Sequence, residues 1–166
     1  MICPACGYDN IAGDDDCARC GTPLTGADKP APHTRFEARL VGGRLSGLAS
    51  HSPRTVAPDV AVADAVATMR GDGVDAVLVV DGDRLKGIFT ERDALLKLAG
   101  RSLAGITVRD VMTKDPVVLR EDDTIAVAIN KMAVGGFRHI PLVDAGRPTG
   151  IVTARDVFHR IAEIVG

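Results

Sequence analysis

The chain has no tryptophan, one tyrosine and only four phenylalanines. So few rings argue against an aromatic platform for stacking bases. The apolar residues are mostly Val, Ala, Leu and Ile, a mix that suits helices packed on small sheets. A charge excess of either sign is also missing. A net charge of −2 and a pI near 6.1 argue against broad affinity for nucleic acid or anionic membrane, while leaving room for a local basic patch. No stretch approaches the roughly 20 apolar residues of a membrane span. The N-terminus carries Cys and Asp where an export signal would place basic residues and an apolar run. A cytoplasmic protein with no membrane association is therefore expected. The four histidines (His33, His51, His139, His159) show no metal spacing among themselves, and no Ser-His-Asp or Cys-His grouping has local support. A non-enzyme is the expectation.

Cysteine is absent after residue 20. The four that exist, Cys3, Cys6, Cys17 and Cys20, are spaced C-x2-C, ten residues, C-x2-C. Without an export signal this spacing reads as metal ligation and not as a disulfide framework. Residues 1–24 are too few to bury a core, and each pair is followed by a glycine, Gly7 or Gly21, that lets the backbone turn behind the second ligand. Four thiolates around one tetrahedral ion point to zinc, whose binding then supplies the folding energy, roughly 10–16 kcal/mol. Iron in a rubredoxin-like site stays open, and a thioredoxin-like redox pair is the weaker rival. The pieces C-P-x-C-G (3–7) and C-x-x-C-G-x-x-L (17–24) resemble small zinc-ribbon domains.

Residues 25–43 read as a linker, broken by Pro30, Pro32, Gly42 and Gly43, with Phe36–Val41 placed to pair with a sheet edge. Beyond them a phrase occurs twice: GIFTERD at 87–93 and GIVTARD at 150–156, 63 residues apart. At the same offset Pro53 falls on Pro116, Met69 on Met132, Gly73 on Gly136 and Asp81 on Asp144. One supersecondary unit has been built twice. Periodicity predicts β-α-β-β-α in each copy, at 44–105 and 106–166. The strands are about 54–56 and 117–119, the first helices 60–70 and 124–133. Hairpins are expected over 74–89 and 138–152, with closing helices starting at Thr90 and Thr153. Thr124 is a plausible N-cap, and Ala61, its counterpart, cannot cap. Each unit is small, and packing sheet to sheet would bury both. The fold class is α+β.

In the repeated phrase, Thr-x-x-Asp at a strand-to-helix junction is by itself a capping box. It is also compatible with ligand binding. A helix N-terminus favours phosphate, and a carboxylate beside it can accept two bonds from a vicinal diol such as ribose. The two phrases, DVMTKDPVVL (110–119) and GFRHIPLVD (136–144) together resemble a pair of CBS domains over nearly all of 44–166. The resemblance implies a pseudo-twofold disc with two clefts, a cleft taking an adenosine-containing ligand (AMP, ADP, ATP, S-adenosylmethionine or a dinucleotide), and a homodimer. Carried over, Asp93 and Asp156 hold the ribose hydroxyls and Thr90 and Thr153 lie near ribose or phosphate. Lys114 and Pro116 stand on the adenine side, and Arg138 and His139 face the phosphate. The first copy has Asp75 and Ala76 where the second has Arg138 and His139, and LASH (48–51) where the second has VMTK (111–114). The site of Thr153 and Asp156 is therefore expected to bind better.

The expected function is a non-catalytic regulatory sensor of adenine nucleotides, its zinc ribbon serving as a staple or docking an unknown protein partner. The alternatives are a nucleic-acid regulator read through the ribbon, or a dimerisation scaffold without ligand. Asp9, Asp14, Asp15 and Asp16 against the single Arg19 argue against the first of these.

Overall fold

The computed structural model describes residues 2–3, 5–11, 15–22, 35–48 and 53–165, with the side chains of 35–37 and 41 excepted. Most of the expected linker with His33, the 49–51 part of LASH with His51, and Asp14 and Leu24 of the ribbon lie outside these residues. The chain forms two compact units, Met1–Glu37 and Ala38–Gly166. Where Phe36–Val41 was expected to be extended, the chain is helical: α1 covers Arg35–Gly42. Its run of Arg, Glu, Ala and Leu favours helix, and Leu40 packs on an apolar core, which a helix achieves without a strand partner.

Both repeats follow the predicted order of helix, hairpin and closing helix. The strand expected at 117–119 is reduced to a single bridge at Leu119, because only that residue reaches the edge of its sheet. In the first, β1 (Thr55–Val56) leads to α2 (Val62–Asp72), the hairpin β2 (Ala76–Asp81) and β3 (Arg84–Thr90), and α3 (Glu91–Leu98). A short helix, α4 (Val108–Val111), and a two-residue strand, β4 (Thr113–Lys114), follow. The second repeat has α5 (Ile125–Gly135), the hairpin β5 (His139–Asp144) and β6 (Arg147–Thr153), and α6 (Ala154–Val165). Thr124 caps α5 by accepting from Val127 N, whereas Ala61 begins α2 with no side-chain cap. The first sheet runs β1-β2-β3-β4, with β1 parallel to β2 and the other pairs antiparallel. In the second repeat Leu119 bridges Leu142 in parallel, the counterpart of Val56 beside Val79.

The two lobes exchange their leading segments. Val108 and Val111, with Ile106 and Met112, pack into the first lobe's core against Val62, Met69, Val77 and Phe89. Leu45, with Leu40 and Leu48, packs into the second lobe's core against Ile125, Ile140, Leu142 and Val152. The bridges Ala61–Thr107 and Arg44–Thr124 are the same contact seen once from each copy. The lobes also meet sheet to sheet, where Ile151 packs on Ala76, Leu78 and Ile88. Each lobe therefore has a core completed by the other's chain, and neither can fold fully by itself.

Gly87 governs how closely the exchanged strand can approach. A Cβ there would lie 2.7 Å from Met112 Sδ and 2.7 Å from the Thr113 carbonyl oxygen. Gly87→Ala is expected to push β4 off β3 and cost about 1–3 kcal/mol. Gly71 lies in α2 with open space around it, so Gly71→Ala is expected to stabilise by about 0.5–1 kcal/mol. Denaturant unfolding of the two variants should shift in opposite directions. Similar shifts would remove the account of Gly87.

Candidate functional site

The first unit brings its four cysteines together by two matching turns. Gly7 N donates to Cys3 O and Gly21 N to Cys17 O, at 2.9 and 2.8 Å, with φ of +69° and +68° at the two glycines. The four sulfurs all lie within 4.8 Å of one another, and two of the separations are 3.7 Å (Cys3–Cys20) and 3.6 Å (Cys6–Cys17). Zinc–sulfur bonds of about 2.3 Å in a tetrahedron require sulfurs about 3.8 Å apart, so the cage fits zinc. The thiols differ in acidity. Burial opposes the Cys17 thiolate, but the Arg19 and Cys20 N–H groups and the thiols of Cys6 and Cys20 outweigh it and bring Cys17 down to about 6. The Tyr8 N–H favours the Cys6 thiolate, yet burial and the neighbouring sulfurs push Cys6 up to about 12.

In the second unit the repeated phrase forms the same junction twice. Thr153 N and Oγ1 each donate to Asp156 Oδ2 at 2.8 Å, and Asp156 N donates to Thr153 Oγ1 at 3.2 Å. Thr90 and Asp93 repeat this with Oδ2 at 3.0 and 2.7 Å. The second carboxylate oxygen separates the copies. Asp93 Oδ1 accepts from Lys97 Nζ at 2.7 Å and from Thr113 Oγ1 at 3.2 Å. Burial raises the pKa of Asp93, but Lys97 and Thr90 together prevail and hold it below the usual carboxylate value. Asp156 Oδ1 has no protein partner among the described residues.

A cleft of about 1190 Å³ runs between α2 and α3 of one lobe and β5 and α6 of the other, lined in part by Asp75, Arg138, His139, Thr153 and Asp156. A second hollow of about 550 Å³ adjoins it, lined by Pro53, Arg54, Ala76, Ile151, and again His139 and Thr153. His139 stands between them, its side chain only 11% exposed. Its Nε2 lies 3.1 Å from Asp75 Oδ1 but makes no hydrogen bond of proper geometry, so the contact attracts only if the ring is protonated. Arg138 is exposed and has no side-chain partner among the described residues.

Of the residues singled out from the sequence, Thr153, Asp156, Arg138 and His139 come together in one cleft. Thr90 and Asp93 form the other junction. Lys114 belongs with that second group, since β4 pairs it with Gly87 and brings the preceding Thr113 onto Asp93, and Pro116 follows two residues later. The exchange of leading segments is the reason. It also puts Pro53 and Arg54 of the first copy beside Thr153. Asp75 was read as a mark against the first site, but it lines the cleft of Arg138 and His139 itself. Among the described residues the copies differ at Lys97, which meets Asp93, while its counterpart Arg160 pairs with Glu163. The i,i+4 spacing of Asp93 and Lys97 is a signal readable in the sequence.

The CBS-domain family model matches residues 45–100 and 108–163. The chain belongs to the CBS-domain family. Among curated proteins it is 31% identical over 123 residues to an uncharacterized 17.7 kDa protein of Acidianus ambivalens, covering 73% of this chain and 74% of that one. It is 37% identical over 107 residues to inosine-5'-monophosphate dehydrogenase of Korarchaeum cryptofilum. That match spans 64% of this chain and only 22% of the enzyme. Among solved structures, CBSX2 in complex with AMP superposes with a TM-score of 0.68 at 25% identity, over 74% of this chain and 99% of that one. CBS pairs are regulatory modules, and no helix among the described residues is long and apolar enough to cross a membrane.

Proposed function

We propose that this CBS pair is a non-catalytic sensor that takes an adenine nucleotide, AMP, ADP or ATP, in the cleft of Thr153 and Asp156. The observation that carries the reading is the divided carboxylate of Asp156. One oxygen is fixed by the capping box, which sets the side chain's direction, and the other has no protein partner among the described residues. Such an oxygen is suited to accept from a ribose diol. The start of α6 supplies N–H groups and the positive end of a helix dipole for a phosphate. Arg138 adds a guanidinium without a partner among the described residues, and His139 adds charge if protonated beside Asp75. The AMP held by CBSX2, a protein of the same fold, supports the ligand class.

In this reading the cysteine cage holds zinc, which keeps the small unit folded so that it can dock an unknown protein partner. The pair is a cytoplasmic homodimer. A ligand regulates such a module only through unequal affinity for two of its states. Titration calorimetry of the zinc-loaded protein against AMP, ATP, S-adenosylmethionine and NADH tests the proposal. Saturable binding of an adenine nucleotide is expected. Failure of all four to bind would leave the pair as a dimerisation scaffold.

A further inference from the structure

The two junctions share a capping box and differ in what meets the outer carboxylate oxygen. We infer that the Lys97 ammonium closes the Thr90–Asp93 cleft to diol ligands, so that each chain takes one nucleotide and not two. The inference rests on the nucleotide reading of Asp156 and adds to it the number of sites and the residue that sets it.

A ribose would present two hydroxyl donors to the free oxygen of such an aspartate. At Asp93 two donors are already in place, Lys97 Nζ at 2.7 Å and Thr113 Oγ1 at 3.2 Å. Lys97 is held from its other side as well, donating to Val111 O at 2.6 Å. Thr113 is delivered by β4, which the missing side chain of Gly87 allows to lie close against β3. A ligand would have to displace both donors and exchange an ion pair, charged on both sides, for bonds whose hydroxyl donors carry no charge. The Asp93 side chain is also only 12% exposed.

At the equivalent position the second repeat carries Arg160, which does not turn back to Asp156. Its Nη1 pairs with Glu163 Oε2 at 2.9 Å, on the exposed side of α6. Among the described residues, the same repeat thus yields an aspartate with both oxygens engaged in one copy and one with an open oxygen in the other.

The test is the number of AMP equivalents bound at saturation by the zinc-loaded full chain. Wild type is expected to take one, and Asp156→Ala well under one at the AMP concentration that just saturates wild type. Lys97→Met keeps an unbranched apolar side chain and removes the ammonium. It is expected to take a second, weaker equivalent, and Lys97→Met with Asp156→Ala is expected to recover one. Two equivalents in wild type would overturn the inference while leaving the nucleotide reading intact, and this outcome depends on no variant folding. A single equivalent in Lys97→Met would overturn it too. Absence of AMP binding in wild type would overturn the reading and the inference with it.

Discussion

Asp156→Ala is expected to weaken AMP binding by about ten- to a hundredfold. The estimate follows from the bonds that would be lost, since a hydrogen bond to a charged group contributes roughly 1.5–3 kcal/mol. Asp156 Oδ2 is already committed to Thr153 N and Oγ1, so the loss arises at Oδ1. The substitution also removes half of a capping box, which should lower stability by about 1 kcal/mol. The two effects separate experimentally. Thr153→Ala should cost a similar amount of stability, with a smaller loss of affinity. Asp93→Ala should leave AMP affinity nearly unchanged, because Asp93 is occupied by Lys97 and Thr113. Calorimetry and thermal unfolding of the three variants decide the matter. Equal affinity losses for Asp93→Ala and Asp156→Ala would sink the assignment of the second-repeat cleft.

Cys17→Ser is expected to unfold the first unit and abolish stoichiometric metal binding. The Cys17 and Cys3 side chains, with Cys6 packed beside them, are the whole of that unit's buried cluster among the described residues. With so little apolar burial, the metal must provide the folding energy, roughly 10–16 kcal/mol. Metal analysis should show one zinc per wild-type chain, and iron would instead betray itself by colour. Hydrogen exchange should become fast over residues 2–22 in the variant or after chelation, while the protected core of residues 45–165 stays protected. Zinc should also be released as pH falls, because protons compete for the thiolates. A Cys17→Ser chain that keeps a full equivalent of zinc and its amide protection would refute the four-sulfur site.

The exposed helix residues Leu95, Leu96 and Phe158 accord with self-association of the pair. Leu95 and Phe158 both border the cleft, so in the proposed homodimer ligand and assembly would share a surface. Coupling between them would make affinity depend on protein concentration.

The sequence by itself determined the cysteine cage and the repeat. Four cysteines at fixed local spacing and a phrase recurring after 63 residues are short-range facts, and the turns at Gly7 and Gly21 and the capping boxes at Thr90 and Thr153 follow from them directly. Helix and strand order followed as well, because periodicity reports which side of an element is buried. The helix at Arg35–Gly42 escaped because a short apolar-polar run fits either period until a core claims Leu40.

Only the tertiary structure decided which copy's residues meet. The exchange of leading segments is invisible in a linear repeat, since either lobe's core would accept Leu45 or Val108 equally on composition. That exchange carries Lys114 to the first junction and Pro53 to the second. It also brings Thr113 onto Asp93, while the sheet-to-sheet packing of the two hairpins puts Asp75 opposite His139. Local sequence sets each capping box and puts Lys97 on Asp93; packing across the lobes adds Thr113 to the same oxygen.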